Sequence, residues 1–193
     1  EMGVSSLHCL FPPGEQAQEM QQQGMMLRQG VQFHWRNPGY ADFDAYLTAM
    51  SHDKRKRIRQ ERRKVKEAGI TFERLTGSRI TDEHWTFFER CYALTHLQYN
   101  SPQALNLDFF RRIGASMADN ILLVIALHDG RPIAGALNFF SREALYGRSW
   151  GALEFHSGLH FEACYYQAIE FCIERKIPLF EGGAQGEHKL SRG

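Results

Sequence analysis

Hydrophobic and polar positions fall into two regimes along this chain. In the first half the apolar residues recur at helical spacing. Phe43, Tyr46, Leu47 and Met50 follow i, i+3, i+4, i+7 behind an Asp42 cap, which predicts an amphipathic helix. Ser51 can cap a second helix over 53–68, closed by Gly69. A strand is predicted over 70–75. Further helices follow over 81–99, with Trp85, Phe88 and Tyr92 on one side, and over 107–117. After residue 120 the pattern changes. Residues 121–127 (ILLVIAL) form an unbroken apolar run, the mark of a strand buried on both faces. Asp129-Gly130 then supplies the positive φ of a hairpin turn, predicting antiparallel pairing of 121–127 with 133–140. A strand over 144–150, a long helix over 159–176 and a short strand over 178–181 complete the series, and Gly182-Gly183 opens a polar loop.

The first residues read differently. Strands are expected over 3–11 and 25–35, separated by Pro12-Pro13-Gly14 and a polar helix over 15–23. This β-α-β piece is too small to stand alone. The expected boundaries are therefore 1–38, the end of a preceding domain, and 39–193, a second domain. The chain is expected to be cut at both ends, with the second domain's last strands missing. The fold class is α/β (α+β): a mixed, largely antiparallel sheet flanked by helices.

Composition narrows the function classes. The 14 Phe, 7 Tyr and 3 Trp supply enough large side chains for a packed core. Net charge is only +1, so any polyanion site must be local. No apolar run reaches the roughly 18 residues needed to span a bilayer, and residues 1–10 lack a signal peptide's basic and apolar regions. Cys9, Cys91, Cys164 and Cys172 form no C-x-x-C pair. Cys164 and Cys172 would stand about 12 Å apart along a helix, too far to bridge. Unpaired thiols with apolar neighbours point to a reducing compartment, the cytoplasm.

Three segments carry candidate chemistry. Residues 52–66 (HDKRKRIRQERRKVK) hold nine Lys and Arg against Asp53 and Glu61. This is either a solvated helix face or a site for phosphates of a nucleotide, lipid carrier or tRNA, with Arg55, Arg59 and Arg63 as the phosphate-binding set. The near-neutral chain makes the cluster a local anomaly and favours the second reading. Residues 146–166 bring Arg148 and Trp150 at a strand end, then Glu154, His156, His160 and Glu162, then Tyr165 and Tyr166. A His, a carboxylate and a Tyr between strand and helix suit proton transfer from an attacking amine. The candidates are Glu162 or His160 as base and Tyr166 as proton donor. Tyr165 and Tyr166 also fit an ordinary core, and Glu162 also fits a helix-start charge. His156 and His160 with Glu162 match no established zinc spacing, so no metal is expected. Residues 181–189 (EGGAQGEHK) place Gln185, Glu187, His188 and Lys189 on a glycine-rich loop. Gln185, His188 and Lys189, with Arg148 and Trp150, are the substrate-binding candidates; Arg148 and Lys189 would hold an anionic group. Neither a phosphate-binding G-x-x-x-x-G-K-[ST] nor a G-x-S-x-G elbow is present.

The runs 145–193 (LYGRSWGALEFHSGLHFEACYYQ through GGAQGEHKLSRG) and 33–70 (FHWRNPGYADFDAYLTAMSHDKRKRIRQERRKVKEAGI) resemble the FemAB-like family of peptidoglycan biosynthesis or recognition proteins. That family is grouped with the GNAT acyltransferases, and the resemblance covers nearly the whole chain. It implies a tandem GNAT-like arrangement of which this chain holds the end of one domain and most of the next. Helices, then an antiparallel meander, then helix and strand is indeed the GNAT order, although periodicity alone leaves other α+β folds open. The wider family transfers amino acids from aminoacyl-tRNA to a peptidoglycan-precursor side chain, and Lys56-Arg57-Ile58-Arg59 is loosely similar to its basic-helix pattern. The resemblance thus implies an N-acyltransferase using acyl-CoA or aminoacyl-tRNA, with a peptidoglycan precursor or other small molecule, and tRNA, as partners. The alternative is a non-catalytic module that binds a phosphate-bearing precursor or RNA. The pyrophosphate turn [QR]-x-x-G-x-[GA] of acetyl-CoA enzymes is missed, since residues 131–136 (RPIAGA) have the wrong spacing.

Overall fold

The computed structural model describes residues 5–30 and 32–183, which form two compact units, Glu1–Val31 and Gln32–Gly193. In the first, helix α1 spans Gly14–Gln22 and buries none of its residues. Residues 5–11 form no strand, and in the stretch expected as strand over 25–35 only the end is extended. Leu7, Leu10 and Phe11 are exposed, so their alternation finds neither a strand partner nor a face to cover among the described residues. A strand exists only where a neighbour accepts its hydrogen bonds.

That neighbour appears in the second unit. Strand β1 (His34–Arg36) pairs antiparallel with β6 (Leu179–Glu181), Trp35 opposite Phe180. Residues 32–38 therefore belong to the larger unit, ahead of the expected boundary at 38/39. Its six-stranded sheet has the order β1-β6-β5-β4-β3-β2. Strands β2 (Ile70–Leu75), β3 (Ile121–His128), β4 (Arg131–Phe140) and β5 (Ala144–Ala152) form an antiparallel meander, and β6 runs parallel to β5. Asp129 and Gly130 both adopt positive φ, 50° and 73°, at the β3–β4 turn. That pair of angles matches the right-handed twist of the strands it joins.

The unbroken apolar run of β3 has a simple cause. Helices cover both faces of the sheet, so neither set of alternating side chains meets water. Leu123 and Ile125 pack with Trp85, Phe88 and Tyr92 of α4 (Asp82–Gln98) and Phe110 of α5 (Leu107–Ser116). Leu122 and Val124 pack with Tyr46 and Leu47 of α2 (Phe43–Thr48) and Ile58 of α3 (His52–Glu67). The same cluster takes in Ile169, Phe171 and Cys172 of α7 (Gln167–Arg175). The long helix after β5 is not uniform. A single α turn, α6 (Leu159–Phe161), passes into a π-helical turn, Glu162–Tyr166, before α7. A π turn inserts an extra residue and re-aims the side chains around it. Cys91, Cys164 and Cys172 are packed thiols; burial pushes Cys91 and Cys172 up to about 12 and Cys164 higher still. All four cysteines are unpaired.

Candidate active site

Strands β5 and β6 stay together only at their start. Ala144, Leu145 and Tyr146 pair with Leu179, Phe180 and Glu181, and β6 then ends while β5 continues to Ala152. On its other side, β5 bulges: Leu137 faces Ser149 and Asn138 faces Gly147, leaving Arg148 out of register. Bulges bend a strand and sharpen its twist. Beyond Tyr146, β5 has no strand partner on the β6 side among the described residues, which leaves an unpaired edge, the wedge.

A row of rings bridges the wedge. The Trp150 ring on β5 lies 5.4 Å from that of His160 on α6. His160 lies 5.7 Å from Tyr165, and Tyr165 lies 6.3 Å from Phe180 on β6. Gly182 follows directly, and a Cβ there would stand 2.9 Å from the Tyr165 ring, so only glycine fits unstrained. His160 is exposed, whereas Tyr165 is buried. Arg148 stacks over Tyr146 at 5.3 Å and pairs with Glu181 at 3.4 Å. The structure thus joins Trp150, His160 and Tyr165 in one row that ends at Phe180 and Gly182, while Arg148 turns to Tyr146 and Glu181. Gln185, His188 and Lys189 lie outside the described residues.

Glu162 and Tyr166 do not join them. They share a face, as their spacing predicts, but that face meets α3. Arg62 donates to Glu162 through Nε at 3.1 Å and Nη2 at 3.0 Å, Gln167 donates at 2.8 Å, and Glu170 takes the other edge of Arg62 at 2.8 Å. Burial works against the Arg62 charge, but the two carboxylates more than reverse it and raise its pKa. The fully buried Tyr166 hydroxyl donates to Glu61. The Arg62 guanidinium also lies 4.4 Å from the Phe43 ring centre. The expected base Glu162 and proton donor Tyr166 are therefore committed to the α3 contact. Glu162 is neither exposed nor a cap of its own helix. Adjacent residues of α3, Glu61 and Arg62, meet the π turn, and local spacing carries no signal of that pairing beyond two opposite charges.

On the outer side of α3, Arg55, Arg59 and Arg63 stand on one stripe. With His52, Lys56 and Gln60 they line a groove of about 410 Å³. Arg59 pairs with Asp44 at 3.6 Å and Arg63 with Glu67 at 3.7 Å, all well exposed. Such pairs are worth little and exchange readily for a phosphate. A second groove of about 410 Å³ runs between α2 and α3, walled by Phe43, Arg62, Phe72 and Glu162.

One further cluster lies at the other end of the loop after β5. Glu154 Oε2 sits 3.4 Å from His128 Nδ1 and 3.1 Å from His156 Nε2. Hydrogen bonding from His156, then from His128, holds the Glu154 carboxyl below the usual range. His128 stands just before the Asp129-Gly130 turn and meets Glu154 and His156 from the end of β3.

The six-stranded, mostly antiparallel sheet flanked by helices is of the GNAT-like fold class. The chain belongs to the FemAB-like family, described as peptidoglycan biosynthesis/recognition, whose model matches residues 1–193. It is similar in fold to FemX, with 13% identity, a TM-score of 0.61 and coverage of 81% of this chain and 54% of that one. A conserved protein of unknown function from Bacteroides thetaiotaomicron gives 15%, 0.53, 82% and 56%. L-PGS from Bacillus licheniformis gives 10%, 0.50, 70% and 42%. The chain spans about half the length of these structures. No curated protein sequence matches it. Among the described residues, no helix is long and apolar enough to cross a membrane.

Proposed function

We propose that this domain is an N-acyltransferase of the GNAT/FemAB-like type, passing an acyl or aminoacyl group to an amine of a peptidoglycan precursor. The observation that carries the reading is the wedge along β5 beyond the end of β6, with His160 exposed beside it. The amine attacks the acyl carbonyl, the new C–N bond forms, and the bond to the donor's sulfur or oxygen breaks. The nitrogen must lose a proton, and His160 receives it. Arg148 exchanges Glu181 for an anionic group of the substrate, and Trp150 and Tyr165 flank the reacting chain. Glu162 and Tyr166 act as positioning residues, since they fix the π turn that carries the wedge-facing Tyr165. The donor is acyl-CoA or aminoacyl-tRNA, and the reaction runs in the cytoplasm, consistent with four unpaired cysteines.

The arginine stripe favours a second reading, a module that binds a phosphate-bearing precursor or RNA without chemistry. One experiment separates the two. The full-length protein is incubated with labelled acyl-CoA or aminoacyl-tRNA and an amine-bearing precursor. Transfer of label to the amine supports the enzyme; binding of tRNA or precursor with no transfer from either donor supports the module.

A further inference from the structure

We infer that His128, Glu154 and His156 form a binding site for a divalent metal ion of the zinc class, separate from the wedge. Their ligand atoms all lie within 4.8 Å of one another. In a tetrahedral zinc site with bonds of about 2.0–2.1 Å, neighbouring ligand atoms stand about 3.3 Å apart. Glu154 Oε2 meets that spacing to both imidazoles, at 3.4 Å and 3.1 Å. The two rings are 5.0 Å apart and inclined at 75°, so their nitrogens approach the carboxylate from different directions. Two imidazoles and one carboxylate are a donor set that zinc uses when a fourth position is left to water or substrate.

The frame is set before any ion arrives. His128 ends β3, in register with Ile70 on one side and Arg131 on the other. Beyond β5, the Leu153 N–H donates to Ile133 O at 2.7 Å, fixing the approach of Glu154. The His156 carbonyl accepts from Leu159 N–H at 3.1 Å, which ties it to the start of α6. Gly158, at φ 86°, lets that loop turn against α3. All three side chains are partly exposed, 27%, 40% and 22%, so an ion can enter and keep a water ligand. A bound ion would lock the 153–158 loop to the end of β3 through His156, four residues before His160. The same contacts without a metal would be two hydrogen bonds to one carboxylate, and the experiment decides between these.

The test uses tag-free protein stripped with chelator. Zn²⁺ is titrated calorimetrically and Co²⁺ by its visible d–d absorption. The expected result is one ion per chain, bound at micromolar concentration or below, with intense four-coordinate Co²⁺ bands. His156→Ala and His128→Ala should each weaken binding at least 10-fold, in line with the loss of a direct ligand. Circular dichroism identifies any variant that fails to fold. Glu154→Gln, which keeps size and hydrogen bonding, then serves as the third variant. Wild-type protein that binds no Zn²⁺ at about 100-fold excess overturns the site. So does binding that survives the paired His128→Ala and His156→Ala change, since other histidines would then hold the ion. Neither outcome depends on transferase activity.

Discussion

Arg62 and Glu162, 100 residues apart, meet in a two-point ion pair that joins the basic helix α3 to the π turn. The Glu162 side chain is 4% exposed and that of Arg62 27%. A carboxylate this buried keeps its charge only while a partner and hydrogen bonds compensate it. Gln167 and Glu170 complete the set. The pair explains how a helix with only Ile58 and Val65 buried is held against the domain. Arg62→Ala should therefore cost about 3–5 kcal/mol, the range for a buried pair broken on one side. Arg62→Met with Glu162→Met should cost less than Arg62→Ala alone, because no charge is stranded. Urea unfolding of wild type and the two variants measures this. A loss under about 1 kcal/mol in Arg62→Ala would mean that water already compensates Glu162.

The arginine stripe makes a separate prediction. Arg55, Arg59 and Arg63 line one groove, and Arg59 and Arg63 also border the groove that Arg62 walls. Replacing all three by Glu should weaken binding of tRNA or a nucleotide-linked precursor. The slope of log K against log salt should fall by about 2–3, the contribution of three phosphate contacts. Unchanged affinity and slope would leave the stripe as a solvated helix face.

The strands of the meander were legible because β3 is covered on both sides and its turn carries Asp-Gly; both facts are local. The cap of α2 was equally plain, since Asp42 accepts from the Ala45 N–H at 2.7 Å. What was not legible depends on partners far along the chain. Glu162 and Tyr166 read as a catalytic pair because four-residue spacing gives a shared face, but spacing does not say what that face meets. A 3.6-residue period also cannot announce a π turn. The alternation over 3–11 misled for a related reason: it predicts a strand only if a neighbour accepts it. His128 carried no local signal at the end of β3 because its partners, Glu154 and His156, follow two strands later.

Asp82 and Arg111 give a pH test away from the wedge. The Arg111 guanidinium holds the Asp82 carboxyl below its ordinary 3.8, through contacts of 2.6 Å and 2.7 Å. A carboxyl depressed in the folded state adds stability that is full above its unfolded pKa. That stability is lost as pH falls through the folded value. Asp82→Asn should lower Tm by a constant amount at pH 5–8, and the difference should close toward pH 2–3. The pair is exposed, so the shift is small and sensitive to salt. A gap that widens on acidification would contradict the assignment.

Gly182 tests the wedge by crowding it. A methyl group there would stand 2.9 Å from the Tyr165 ring and move it toward His160. Gly182→Ala should leave the fold intact, with a stability loss of about 1–3 kcal/mol. Transfer should fall by about 10- to 100-fold, the penalty for misplacing reacting groups by a fraction of an ångström or more. Wild-type turnover in this variant would remove the wedge from the reaction path.

His160 carries the proposed chemistry, and its surroundings suggest how to isolate it. Its ring stands between Trp150 and Tyr165 and next to Phe161, so removing it changes packing as well as proton transfer. Two variants separate these effects. His160→Phe keeps an aromatic ring among its neighbours but cannot take a proton. His160→Gln keeps a hydrogen-bonding side chain that does not titrate. If the imidazole is the base, both should lower kcat by about 100-fold or more, the lower end of what a positioned proton acceptor contributes. A base works only in its neutral form, so wild-type kcat should fall on acidification, and both variants should lose that pH limb. KM for the donor should change much less than kcat, because His160 acts on the attacking amine and not on donor binding. A packing role gives a different pattern. His160→Phe would then retain activity and the pH limb, and His160→Gln would lose stability. That pattern would return the ring row to the core and leave the proton without an acceptor at the wedge.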